Sequence, residues 1–202
     1  MEVRTTKAEQ GEATRAALVR AARELFTEHG YGGVGTEEIV RRAKLTRGAL
    51  YHHFADKKDL FRAVHEQIEG EVMAAIAAQM AAGAAADPFE LLIVGTRAYL
   101  DVCTDPAITR VTLVDAPSVL GWEEWREIDM RHGLGIVIAG LQGGMDAGVL
   151  RPQPVRALAH LMLGAMGEAG MVIANAPDPD AARAEIEPAL LGVLEGLRVP
   201  GQ

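Results

Sequence analysis

Residues 36–61, TEEIVRRAKLTRGALYHHFADKKDLF, decide how this chain is read. They divide into two short helices joined by a tight turn, then the start of a third. Thr36 can cap the first helix, whose apolar side is Ile39, Val40 and Ala43. Lys44 and Leu45 make the turn. Thr46 caps the second helix, Arg47 to Phe54, in which Leu50 and Phe54 lie four apart on one side. Arg47, Gly48, Tyr51, His52 and His53 are left off the buried side. A short capped helix that presents one small residue, one Arg and a Tyr-His-His cluster is what a helix entering a DNA major groove needs.

The rest of the chain supports an all-α protein. At 202 residues it makes one or two domains, long enough to bury a core. Half of it is apolar, yet only 4% is aromatic, and its glycines and prolines do not recur at the close spacing expected of a β protein. Met1 to Arg15 is polar and charged, unlike a secretory signal. The apolar run Val155 to Ala176 carries Arg156, His160 and Glu168, so a buried or interfacial helix is expected, with no membrane partner. Cys103 is the single cysteine, which excludes an internal disulfide and a CxxC metal site. A cytoplasmic protein without cofactor or metal is the expectation. The net charge of −8 is unevenly spread. Residues 1–62 hold twelve Lys and Arg against nine Asp and Glu, a formal +3, and residues 63–202 hold eight against nineteen, a formal −11. Such gathering of positive charge lets an acidic protein bind DNA with one end.

Before the motif, a helix is expected from about Glu12 to His29, with Ala17, Leu18, Ala21, Ala22, Leu25 and Phe26 at helical spacing and Gly30 as its stop. After it, Asp56 caps a long helix from about Lys57 to Ala82, with Leu60, Val64, Ile68, Val72 and Ile76 four apart. This order, with the pattern T-x-x-I-x-x-x-A-x-(apolar)-[ST]-x-G-x-(apolar)-Y-x-H-F-x-x-K-x-x-L, resembles the tetracycline-repressor (TetR) family over roughly Ala16 to Phe61. The resemblance implies a helix-turn-helix DNA-binding domain, residues 1–56, followed by a larger helical effector-binding and dimerisation domain, residues 57–202, about nine helices in all. It implies phosphate contacts from Thr36, Tyr51, His53 and Lys57, and from Thr46 besides its cap. Arg47 and Gly48 would meet base edges, followed by Ala49 and His52. Arg suits a bidentate contact with guanine, and Gly lets the backbone come close. The pattern departs at position 44, where the family has Gly and this chain has Lys44. A left-handed turn there costs on the order of 1 kcal/mol for a residue with a Cβ; alternatively, the lysine supplies a further phosphate contact.

Beyond Ala82 the reading is a break at Ala84 to Asp87, then helices from about Pro88 to Thr104, Pro106 to Val114, a short turn from Ala116, and long helices over Trp122–Gly148, Pro154–Asn175 and Asp180–Arg198. Pro188 is a candidate kink. The glycines of the Trp122–Gly148 stretch imply close packing, a kink or an irregular helix. The small and soft surface of Met162, Gly164, Met166, Gly167, Met171 and Ala174, with the stripe of Ile186, Leu190, Val193, Leu194 and Leu197, suggests a homodimer; the same stripes could pack within the chain. In the TetR family the last two helices pair with those of a partner. An effector pocket is expected between the parts, with Met73, Tyr99, Cys103, Trp122, Trp125, Met130 and His132 as lining candidates and an apolar or aromatic small molecule as its ligand.

The function so implied is a homodimeric regulator, most simply a repressor released from a near-palindromic DNA operator by a small-molecule effector. An enzyme is not expected: no nucleophile motif, phosphate loop or metal spacing occurs, and Asp129 with His132 is the nearest approach to a catalytic pair. An activator or an architectural DNA-binding protein would share the same motif.

Overall fold

The computed structural model of this chain describes residues 6–82 and 87–200. Among them there are helices and no strand: α1 (Lys7–Gly33), α2 (Thr36–Ala43), α3 (Arg47–His53), α4 (Lys57–Ala82), α5 (Pro88–Val102), α6 (Pro106–Thr109), α7 (Ala116–Leu120), α8 (Trp122–Asp146), α9 (Val155–Ala174) and α10 (Pro179–Glu195). A π-helical segment, Arg110–Asp115, joins α6 to α7 without a break, so that Pro106 to Leu120 is one rod and the helical rods number nine. The break expected at Ala84 to Asp87 lies, except for Asp87, outside the described residues. Asp87 itself caps α5, accepting a hydrogen bond from the Phe89 N–H at 2.9 Å.

α1 begins five residues earlier than the apolar spacing indicates. Thr6 and Glu9 form a reciprocal capping box: the Glu9 N–H donates to Thr6 Oγ1 at 3.3 Å, and the Thr6 N–H donates to Glu9 Oε2 at 2.6 Å. The far end of α1 turns at Gly30, whose φ of 71° and ψ of 166° suit only a residue without Cβ. A Cβ there would also lie 2.3 Å from Arg110 Nη2.

The first motif helix is capped otherwise than its sequence suggests. Gly35 is the N-cap of α2, and its carbonyl accepts from the Glu38 and Ile39 N–H groups; Thr36 is the first helical residue and makes no cap. Lys44 ends α2 at φ 57°, ψ 40°, the left-handed conformation expected, and is the non-glycine residue with positive φ among those described. Thr46 caps α3 as expected, accepting from the Ala49 N–H at 3.1 Å. Asp56 caps α4 by accepting from the Asp59 N–H at 2.7 Å, and Asp59 in return accepts from the Ala55 N–H.

One apolar cluster runs from α1–α3 through α4 into α5, α8 and the last two helices. Phe26, Tyr31 and Phe61 stack within it at ring separations of 5.1–5.7 Å. α8 is continuous, and its glycines divide by position: a Cβ at Gly140 would lie 2.7 Å from Leu92, and one at Gly144 2.7 Å from Leu150, whereas Gly135 and Gly143 face open space. Close packing is therefore the reason for part of this glycine content. α10 runs on through Pro188, which sits on its exposed side. α9 is long and apolar enough to cross a membrane by length and composition, but Leu158, Ala159, Met162, Leu163 and Ile173 bury its inner side in the chain's own core. An isolated antiparallel bridge, Leu150 to Arg198, ties the α8–α9 link to the segment after α10.

Two stability measurements follow. Replacing Lys44 by Gly relieves the left-handed turn, and urea titration should show a gain of up to about 1 kcal/mol. His65 is fully buried on α4, and neither ring nitrogen has a hydrogen-bond partner. Burial, and then the nearby His132, lower its pKa from 6.5 to about 4. The unfolded chain thus binds this proton first, and stability on the order of 3 kcal/mol is lost as pH falls from 6.5 towards 4. His65→Leu should remove that loss, seen as a parent-minus-variant stability difference that grows steadily on acidification.

Candidate nucleic-acid interface and internal cavity

α3 is seven residues long and held from below. Leu50 and Phe54 are buried, and Ile39 and Val40 of α2 lie under the turn. The opposite side is left to solvent: Lys44, Thr46, Arg47, Gly48, Tyr51 and His52 are all exposed, while Ala49, His53 and Thr36 are half-buried. Tyr51 is 46% exposed, high for an aromatic side chain in a chain with so few. The Arg47 guanidinium stands 5.8 Å from the Tyr51 ring centroid and 3.3 Å from the Glu37 carboxylate. Hydrogen bonds from Arg47 first, and then from Thr36, lower the pKa of the Tyr51 phenol. This exposed Arg47–Glu37 pair contributes little stability, so Arg47 exchanges it readily for another anion. His52 and His53 meet edge to face at 5.1 Å, and His53 lies 3.9 Å from the Cβ position of Gly11, which brings the start of α1 beside α3.

Nine of the ten expected DNA-contacting residues are exposed or half-buried on α2, α3 and the turn between them, while Lys57 is bonded into the link before α2. The Lys57 ammonium donates to the Tyr31 and Val34 carbonyls, each at 2.9 Å, and stands 3.9 Å over the Tyr31 ring. Desolvation lowers its pKa. In this structure Lys57 holds the link between α1 and α2 instead of facing outward. Nearby, Arg42 is engaged by Glu24 at 3.0 Å and Glu28 at 3.6 Å, so part of the positive charge of residues 1–62 is internally neutralised.

Several contacts fix this head to the rest. The Tyr31 N–H donates to Asp115 Oδ2 at 2.7 Å, and Arg110 approaches the same carboxylate at 3.8 Å. Lys58 donates to the Leu120 carbonyl and pairs with Glu124, to which Arg62 also donates. Both attachments use the Pro106–Leu120 rod or the first turn of α8, so that rod is the neighbour of α1 and α4 where they meet.

Behind the rod lie two adjoining cavities. The larger, a cavity of about 60 Å³, is walled by apolar side chains of α4, α5, α8 and α9, among them Met73, Met80, Leu92, Val137, Leu163 and Met166. The second, of about 20 Å³, adds Cys103, Thr109, Thr112, Trp125 and Glu69, and shares Met73, Tyr99 and Asp129 with the first. Trp125 is fixed there by donating its indole N–H to the Thr112 carbonyl at 3.0 Å. Of the lining candidates read from the sequence, Met73, Tyr99, Cys103 and Trp125 meet at these cavities; Trp122, Met130 and His132 do not line them. Trp122 is 62% exposed, its ring 4.9 Å from that of Trp125, and His132 lies beside Gly70 of α4. Sequence reasoning missed Glu69 and the role of Asp129. Their signal was a carboxylate on the mostly apolar face of a helix, at Glu69 one residue after Ile68.

The expected dimer residues also divide. Met162, Leu190 and Leu194 are buried in the chain's own core, and Met162, Met166 and Leu194 line the larger cavity. Those three buried residues are corrected from dimer contacts to internal packing: the long apolar stripe of α10 faces α5 and α9, so its bulk is used within the chain. The exposed small and apolar residues of α9 and α10 include Leu161, Gly164, Ala165, Val172, Ala189, Gly192 and Val193, with Leu161 71% and Val193 52% exposed. Gly167, Met171, Ala174 and Leu197 are half-buried at its margin.

Comparison with known proteins agrees with this geometry. Residues 18–64 match the family described as bacterial regulatory proteins, tetR family, and residues 89–197 match the tetracyclin repressor-like C-terminal domain. The Transposon Tn10 TetC protein of Escherichia coli is 31% identical over 139 residues, 69% of each chain. The HTH-type transcriptional repressor BepR of Brucella suis is 45% identical over 62 residues, which are 31% of this chain and 29% of that protein. The crystal structure of a TetR-family transcriptional regulator from Pectobacterium atrosepticum superposes with a TM-score of 0.87 at 37% identity, covering 98% of this chain and all of the other. The head with its outward α3, the helical body behind it and these matches along the whole length lead to one conclusion: the chain belongs to the TetR family of DNA-binding transcriptional regulators.

Proposed function

We propose that this regulator is a homodimeric repressor whose hold on a near-palindromic operator is released by a small molecule bound in the α4/α5/α8/α9 cavity. The observation that carries the DNA-binding part is the solvent-facing side of α3, where Arg47, Gly48, Tyr51 and His52 are exposed while Leu50 and Phe54 are buried. Arg47 and Gly48, in the first turn, read base edges; Thr36, Thr46, Tyr51 and His53 hold phosphates and set the register. Lys44, exposed at the tip of the turn, adds a phosphate contact. Lys57 acts indirectly, by fixing the link between α1 and α2.

Dimerisation rests on the small, apolar outer side of α9 and α10 around Leu161, Gly164, Val172, Gly192 and Val193. Glycines let two such helix pairs approach closely, and a symmetric dimer places two α3 helices on half-sites about 34–36 Å apart. The cavity communicates with the head through the Pro106–Leu120 rod. Thr109, Thr112 and Leu113 of the rod line the second cavity, while its Arg110 and Asp115 meet the end of α1 at Gly30 and Tyr31. π-Helical turns often occur at such functional positions. A ligand that favours another setting of this rod tilts the heads off the operator, and a differential affinity of ~1–3 kcal/mol yields a ~5–150-fold change in DNA affinity.

Selection of bound duplexes from random DNA at near-physiological salt should return one inverted repeat. With that duplex, Tyr51→Phe should weaken binding to all sequences alike, whereas Arg47→Ala should flatten the preference at one base pair in each half-site, by about 1–3 kcal/mol. Equal binding of every sequence by both variants would remove α3 from the interface. In sedimentation, Leu161→Glu should turn a dimer into a monomer that keeps its helical circular dichroism; a dimer surviving this change would move the interface elsewhere.

A further inference from the structure

The smaller cavity is lined by one carboxyl group to which the fold gives no hydrogen-bond partner. The Glu69 side chain, 12% exposed, makes no hydrogen bond among the described residues. Its nearest ionisable neighbour on α4 is the fully buried His65, whose Nδ1 stands 4.0 Å from Glu69 Oε1, too far for a hydrogen bond, and both His65 nitrogens are unpartnered. His65 lies one turn before Glu69 and does not line the cavity; Glu69 does, and because buried polar groups are nearly always satisfied, an unpartnered acid lining a cavity points to a ligand. From α8, Asp129 faces the same space and is already paired with Arg126 on its own helix; His132 lies further along α8 towards Gly70. From α5 come the Tyr99 hydroxyl and, just beyond the helix, Cys103, both turned to Gly170 of α9, where a Cβ would lie 2.6 Å from the hydroxyl and 3.0 Å from the sulfur. No Lys or Arg lines either cavity among the described residues. An anionic ligand would therefore meet two carboxyl groups and no free cation.

Resting on the ligand-responsive reading above, we propose that the effector is a hydrophobic amine, its apolar body in the larger cavity and its ammonium group received by the Glu69 and Asp129 carboxylates. Met73, Tyr99 and Asp129 line both spaces, so the two cavities adjoin at these side chains. Burial, and then the charge of Asp129, raise the Glu69 pKa to about 8, so the unliganded site is mostly neutral near pH 7. On binding, the Glu69 proton leaves to solvent and the carboxylate forms a charge-assisted hydrogen bond with the ammonium. Affinity for an amine accordingly rises as the pH approaches 8.

The test titrates three probes of one shape, phenylbutylamine, phenylbutanol and phenylbutyrate, into the full-length protein. Tryptophan fluorescence reports binding, since Trp125 lines the cavity, and the anisotropy of a labelled operator duplex reports release. The amine should bind about tenfold or more tightly than the alcohol, and the carboxylate weakest. Glu69→Gln, which keeps the shape of the neutral acid, should bring the amine down to the level of the alcohol and abolish the rise with pH. Equal or tighter binding of the alcohol or carboxylate, an amine preference that survives Glu69→Gln, or no binding of the amine overturns the proposal. If the alcohol or carboxylate releases the operator, the ligand-responsive reading stands and the amine falls. If the amine binds as expected but the operator stays bound, the cavity chemistry stands and the ligand-responsive reading falls.

Discussion

The Lys57 ammonium sits at the point on which the arrangement of head and body depends. It occupies the first turn of α4, yet its donors go to two carbonyls of the chain between α1 and α2, and its charge rests on the Tyr31 ring. A cation at a helix N-terminus opposes the helix dipole. Here that opposition is offset by the Tyr31 and Val34 carbonyl dipoles at the end of α1. Around this knot, Phe26, Tyr31 and Phe61 stack, and Gly30 turns the chain sharply enough to bring Tyr31 over the ammonium. The orientation of α2 and α3 relative to α4 is set there.

The same junction touches the Pro106–Leu120 rod. Asp115 accepts from the Tyr31 N–H, and Arg110 lies where any Cβ on Gly30 would clash. The rod's other side reaches the polar cavity. Head and cavity are thus joined through this short irregular helix as well as through α4. An irregular helix costs hydrogen-bond quality, which is tolerable when its residues are clamped on both sides. The buried Thr109 and Thr112 help by donating their hydroxyls back to the carbonyls four residues earlier, at Asp105 and Ile108.

The interior of the body combines tight packing with unsatisfied chemistry. Gly140 and Gly144 let α8 lie against Leu92 and Leu150, and Gly170 makes room for Tyr99 and Cys103. Close by, Glu69 and His65 carry polar atoms with no internal partner. A fold selected for stability alone would fill such positions with apolar side chains of similar size. Of the two, Glu69 lines the smaller cavity, where the amine site is proposed.

The sequence by itself determined the helical class, the turn geometry and the outward side of α3. Those depend on local physics: capping by Thr46 and Asp56, the four-residue spacing of Leu50 and Phe54, and the left-handed turn at Lys44 all act within a few residues. The boundaries of α4 could be read for the same reason. Even the early start of α1 was written in the Thr6–Glu9 capping box, a signal that apolar spacing does not register. What depends on distant segments was decided by the tertiary structure. An exposed lysine and one bonded to two carbonyls look alike in sequence, as Lys44 and Lys57 do. An apolar stripe faces either the chain's own core or a partner, and for Leu190, Leu194 and Met162 it is the core because α5 and α9 happen to lie against it. Glu69 likewise becomes a buried, unpartnered acid only when α5, α8 and the Pro106–Leu120 rod close around it. Burial is a property of the neighbours that packing supplies, and a single residue's identity does not name them.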